Sequence, residues 1–223
     1  MWARVNPAVG AGRGGGMEFL EEQRRTLGLS LFAREHLCVW EPEPGESGGA
    51  IDGAAWSALA DPQAARGSSP VFAVATAPDR SWSAVAVAWK RPDGLPQVML
   101  ADYRQDATWV AARATELKST WGGRVVAANR AAHGLVPDAQ NLSEADQAVA
   151  HNALSDAVLA GAVHHGNEPA MNTAVRAARW KLSGNTRVLD QKGNSDISPL
   201  TAAAGAVHAL TTTPATGGWM VGV

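Results

Sequence analysis

The sequence predicts an α/β fold in which three antiparallel strands open a mixed sheet and helices then alternate with further strands. Three observations carry this. Apolar runs at 71–77, 82–89 and 96–102 are separated by turn chemistry, Pro78-Asp79 at the first bend and Arg91-Pro92-Asp93-Gly94 at the second. Val110, Ala114, Leu117 and Trp121 then recur at one-face helical spacing from about 107 until Gly122-Gly123 stops the helix. A further apolar run, RVVAA at 124–128, follows at once. A strand that returns directly after a helix marks the change from hairpins to α/β alternation.

The elements follow in order. Residues 1–16 end in GAGRGGG, and Gly10, Gly12 and Gly15 match the G-x-G-x-x-G spacing. No strand precedes them and no apolar helix follows at once, so they read as a flexible tail and not as a dinucleotide loop. Met17 to about Leu37 is helix-compatible, with Gly28 as an interruption; EPEPGESGG, 41–49, is a linker, and IDGAAWSALADP is a short segment closed by Pro62. Beyond the first four strands, Ser143 with Asp146 three residues later has the form of a capping box and opens a helix to Gly161. Its expected buried stripe is Ala145, Ala148, Val149, Ala153 and Ala160, with Asn152 and Asp156 inside it. A helix over about 168–180 buries Met171, Ala174, Val175 and Ala178 and turns Arg176 and Arg179 outward. TRVLD, 186–190, is a short last strand, and Ser198-Pro199 opens a final Ala-rich helix with proline at its favoured first position.

Composition narrows the function. A chain of 223 residues holds one sizeable core with an extension. Its net charge of −2 gives no global attraction to nucleic acid, so DNA contact requires a local basic face. The concentrated basic segment is Arg176, Arg179, Lys181, Arg187 and Lys192, which reads equally as solvated charge or as a phosphate track. Cys38 is the only cysteine, which excludes an internal disulfide and a multi-cysteine zinc site, so any metal must rest on oxygen ligands. No run approaches the roughly 18 apolar residues of a membrane span, and the chain reads as cytosolic. No G-x-x-x-x-G-K-[ST] occurs, which excludes a recognisable nucleotide-hydrolysing loop. His164 and His165 would face opposite sides of a strand and so cannot share one ion. Trp82, Trp89, Trp109, Trp121 and Trp180 read as core.

The stretches FAREHLCVW, VFAVATAPDRSWSAVAVAW and NSDISPLTAAAGAVHAL, set in this order of elements, resemble the nuclease half of a tailed-phage terminase large subunit, a ribonuclease H-like domain. The similarity runs from about Met17 to Val223 and is most specific at PDRSW and SDISPL, which argue against a transposase or resolvase of the same fold. The resemblance implies a tail at 1–16, a linker region at 17–70 like the connection between ATPase and nuclease, and a ribonuclease H-like nuclease domain at 71–223. It also implies metal-dependent endonucleolytic cleavage of concatemeric double-stranded DNA during genome packaging, with Mg2+ or Mn2+ as cofactor. The setting implied is the host cytoplasm, with a portal protein and an ATPase on another chain as partners.

The same resemblance sets the question of activity. Two-metal nucleases clamp the attacking and leaving oxygens between ions about 3.5–4 Å apart, and the ions need carboxylates. The family usually supplies aspartates from the first strand, the end of the fourth strand and the approach to the last helix. The corresponding positions here are Ala75, Ala128 and Asp196. An alanine methyl cannot coordinate a cation. The carboxylates left as candidate catalytic and metal-binding residues are Asp196, Asp156 and Asp79, with Asn129 as a neutral oxygen donor. Each has a structural alternative: helix capping for Asp196, an ion pair or backbone bond for Asp156, a turn bond for Asp79. Convergence of the three within about 6 Å would mark a surviving metal site. Otherwise cleavage is weakened or lost, and the domain is a remnant that binds DNA or a portal protein. Ala75→Asp with Ala128→Asp is then expected to restore cutting.

Overall fold

A computed structural model describes residues 16–37, 49–193 and 195–212. The tail to residue 15, Cys38 and most of the EPEPGESGG linker lie outside them. The chain forms two compact units, Met1–Ser47 and Gly48–Val223. In the first, helix α1 (Gly16–Leu37) runs through Gly28 without a break.

The second unit starts ahead of the first strand. Helix α2 (Gly53–Ala58) is capped by Asp52, whose side chain accepts from the Ala55 N–H at 2.8 Å. Ala50, Ile51 and Trp56 are buried in the same core as the sheet, so residues expected as linker belong to the folded body. Strands β1 (Val71–Thr76), β2 (Trp82–Lys90) and β3 (Pro96–Gln105) are consecutive and antiparallel, as the turn chemistry predicts. Helix α3 (Val110–Trp121) leads into β4 (Arg124–Ala127), which pairs in parallel with β1. The short strands β5 (Gln140–Asn141) and β6 (His164–His165) complete a six-stranded mixed sheet in the order β5-β4-β1-β2-β3-β6.

Helix α4 (Glu144–Leu159) carries the full capping box at Ser143 and Asp146. Helix α5 (Pro169–Ala177) is shorter than expected. Its successor at 178 is extended, and the chain enters β7 (Trp180–Ser183), which pairs with β8 (Thr186–Leu189). The expected last strand is therefore half of a separate two-stranded hairpin. Helix α6 (Ser198–Thr212) is buried along its length from Ser198 to Ala209, as suits an apolar helix with no polar face. Among the described residues no helix is long and apolar enough to cross a membrane.

Alternation along β1 divides the core. Phe72 and Val74 pack with Val110, Ala114 and Leu117 of α3 on one face. Ala73 and Ala75 join Ala84, Ala86 and Ala88 of β2 on the other, beneath α6, α4 and α5. Alanines on both sides of that contact let α6 approach closely, and a Cβ added at Gly205 would lie 2.5 Å from Ala128 Cβ.

Helix α4 turns a different face inward, and of the expected stripe only Ala148 is buried. Ala148, Ala150, His151, Leu154, Ser155 and Val158 are buried, whereas Ala145, Ala153, Asp156 and Ala160 are exposed and Val149 is 56% exposed. Leu154 and Val158, one turn apart, bury more apolar area than any pair of alanines and decide the face. The polar residues drawn inward are satisfied: His151 Nδ1 accepts from the Leu189 N–H at 3.3 Å, and Gln147 donates to Leu142 O at 3.0 Å. Trp121 is likewise not core. It is 50% exposed at the end of α3, with the Arg66 guanidinium 4.3 Å from its ring centroid. His165 is buried and stacks on Trp56 at 3.8 Å. Its Nδ1 accepts from the Asn167 N–H, so Nε2 carries the proton donated to Trp56 O at 2.8 Å.

Candidate functional site

The register of the sheet builds one row of side chains beneath α6. Ala75 of β1 lies opposite Ala84 of β2, and Ala84 lies opposite Tyr103 of β3. On the other side β4 runs parallel to β1 up to the Val74–Ala127 pair, and the next N–H, that of Ala128, donates to Val74 O at 2.7 Å. The row is therefore Ala128, Ala75, Ala84, Tyr103. Its three alanines are buried, Ala75 completely.

Asp196 stands just before α6. Its Oδ1 accepts from the Ser198 N–H at 3.2 Å and the Ser198 hydroxyl at 2.7 Å, the bonding of an Asx turn at a helix start. Its Oδ2 is buried and has no hydrogen bond of good geometry. The Tyr103 phenol lies against this carboxylate. Burial first, then the charge of Asp196 and a hydrogen-bonding contact with it, push the phenol pKa up.

Asp79 occupies the exposed turn between β1 and β2. Its Oδ1 accepts from the Ser81 hydroxyl at 2.6 Å and the Ser81 N–H at 3.0 Å, and these bonds hold its carboxyl below the usual range. Asn129, which follows β4, is buried. Its Oδ1 accepts from the N–H groups of Thr76 and Ala132, each at 3.2 Å, and its Nδ2 donates to Thr76 O at 2.8 Å and to Gln191 Oε1 at 2.7 Å.

A cleft of about 410 Å³ opens beside this row, with Pro78, Asp79, Trp82, Gln191, Lys192 and Asp196 among its walls. Trp82 stacks on Tyr103 at 4.8 Å. The structure thus brings Asp79, Asp196 and Lys192 to one cavity. Asp156 does not line it, because it projects from the exposed face of α4.

The basic segment is divided among other partners. Arg179 donates to Arg176 O and Ala178 O at 2.9 Å, capping α5. Lys181 pairs with Asp190 at 3.0 Å, and Arg187 bonds Asn152 at 2.6 Å and covers Trp180. Arg176 lies on the exposed face of α5 and reaches Thr173 Oγ1.

The donor set does not fit a two-metal centre. Each cleft carboxylate commits an oxygen to its own turn, the Asn129 amide is fully engaged, and the row offers only methyl groups at Ala75 and Ala128. Among the described residues no group of three or more His, Cys, Asp or Glu side chains is placed to hold an ion.

No protein-family model and no curated protein matches the chain. Solved structures do. The HK97 bacteriophage large terminase superimposes with a TM-score of 0.58 at 18% identity, covering 93% of this chain and 53% of that one. The chain thus spans about half the length of that terminase. The large terminase nuclease from thermophilic phage G20c superimposes with a TM-score of 0.51 at 14% identity, over 72% of this chain and 97% of that one. At such identities the likeness is one of fold. The class defined is the ribonuclease H-like α/β fold, in the form taken by large-terminase nuclease domains.

Proposed function

We propose that this chain is the nuclease-type half of a phage DNA-packaging terminase in which metal-dependent cleavage is lost and contact with double-stranded DNA is kept. Its place of action is the host cytoplasm, beside a portal protein and an ATPase carried on another chain. The observation that supports this reading is the row Ala128, Ala75, Ala84, packed beneath α6 and continued by Tyr103, which lies against Asp196. Where the resemblance expects two carboxylates, the sheet offers methyl groups. Without ligands for divalent ions the site can neither lower the pKa of an attacking water nor neutralise the leaving oxygen.

What remains can bind. Lys192 supplies a cation at the cleft and Arg176 another on α5. With so few charges and a net charge of −2, binding is weak, non-specific and salt-sensitive, with a slope of only about one unit for each phosphate contacted. The test is incubation of supercoiled plasmid with the full chain and manganese. The plasmid is expected to stay supercoiled while fluorescence anisotropy reports association at low salt. Manganese-dependent nicking that disappears in Asp196→Asn would overturn the reading.

A further inference from the structure

We infer that Asn129 is a cation-independent clamp, which ties the loop carrying Lys192 and Asp196 to the sheet by direct hydrogen bonds. The inference rests on the reading of the site as one without a metal centre. In a two-metal nuclease the carboxylates at the strand ends and before the last helix repel one another, and a bound cation relieves that repulsion. Here the contact between these elements is neutral. Nδ2 of Asn129 reaches both Thr76 O, at the end of β1, and Gln191 Oε1, in the loop between β8 and α6.

The chemistry of the position demands an amide. Two N–H groups, of Thr76 and Ala132, point at one end of the side chain and require an acceptor. At the other end the Thr76 carbonyl requires a donor, which Nδ2 supplies while it also bonds the Gln191 amide. Only an amide supplies both. An aspartate would set a second acceptor against the Thr76 carbonyl in a buried setting and leave that oxygen unpaired, at the cost of its desolvation. Asn129 is thus the element that joins β1, the turn after β4 and the loop, and it is a positioning residue for Lys192 and Asp196. The loop has other anchors: Asp190 pairs with Lys181 and accepts from the Lys192 N–H, and Asp196 is bound to Ser198. Between those anchors the Gln191 side chain makes the connection to the sheet.

Lys192 is exposed, so trypsin cleavage between Lys192 and Gly193 reports on loop opening. The full chain is digested in EDTA and in excess magnesium, and the fragment beginning at Gly193 is followed by mass spectrometry. The wild-type rate is expected to be the same in both. Gln191→Ala is expected to raise it several-fold with little change in Tm, because that side chain bonds only the clamp among the described contacts. Asn129→Asp is expected to raise it as well, because Thr76 O loses its donor. A wild-type rate that magnesium slows would show a cation holding the loop, and an unchanged rate in Gln191→Ala would show that the amide contact holds nothing; either overturns the clamp. Plasmid cleavage reads the loss of the metal centre separately, so the two failures are distinguishable.

Discussion

Gly205 of α6 sits directly on Ala128, close enough that a Cβ at 205 would lie 2.5 Å from the Ala128 Cβ and 3.3 Å from its Cα. This contact sets the distance between helix and sheet over the row that includes Ala75. Both neighbours of the added methyl are at backbone or one bond from it, so neither can swing away. Gly205→Ala is expected to destabilise the second unit by about 1–3 kcal/mol despite its better helix propensity. Urea unfolding measures this, and Ala128→Gly in the same chain should recover part of the loss, giving a non-zero coupling in the double-mutant cycle.

The same contact reverses an expectation from sequence. Ala75→Asp with Ala128→Asp reads in one dimension as restoration of a metal site. In the fold both side chains point into an alanine-lined contact, and Ala75 has no exposure. Two carboxylates there lack water, donors and counter-charge, and the helix would have to lift to admit them. The expected outcome is a Tm lowered by many degrees and no gain of plasmid cleavage with manganese. A double variant that keeps its Tm and cuts DNA would show that the row can open into a metal site.

Much of this was legible in the sequence because local signals agreed. The two bends, the capping box and the proline at the start of α6 each name an element through its own chemistry, and Asp79 and Asp196 both make the turn bonds that such positions favour. Three features were not. Between Val85 and Ala86 the β2–β3 register shifts by a bulge, so Leu100 and then Tyr103, not Leu100 and Asp102, share the face of Ala86 and Ala84. Strict alternation therefore misplaces Tyr103, the residue that meets Asp196. Alanine misled in α4, since it is common on both faces and carries little burial drive. The Asn129–Gln191 bond joins positions 62 apart in sequence, and no local pattern marks it.

Acid should weaken the fold through His151. Burial pushes its pKa down from 6.5 to about 4, and its Nδ1 is already an acceptor for the Leu189 N–H. Above the ordinary histidine pKa both states are neutral and this contribution to stability is complete. As pH falls from about 6.5 towards 4 the unfolded chain takes a proton that the folded chain refuses, and about 3 kcal/mol is lost. Burial also lowers His165 and His208, so the loss is shared. His151→Gln, which keeps an acceptor for Leu189, should flatten the pH profile of urea unfolding in that interval. An unchanged profile would assign the acid sensitivity to the other two.

DNA affinity should divide the basic segment by what each side chain already does. Lys181 is held by Asp190, Arg187 by Asn152 and Trp180, and Arg179 by helix carbonyls. Moving any of them onto a phosphate breaks an existing contact, which offsets the gain. Lys192 is exposed at the cleft, and Arg176 is exposed with only a hydroxyl as partner. Each phosphate contact releases condensed counterions, so removing one flattens the slope of log K against log salt by about one unit. Lys192→Ala and Arg176→Ala are each expected to do so in fluorescence anisotropy titrations with duplex DNA. Lys181→Ala is expected to leave the slope unchanged and to lower stability slightly through Asp190. If Lys181→Ala flattens the slope and Lys192→Ala does not, DNA lies along the hairpin and not across the cleft, and the loop that Asn129 holds is not part of the track.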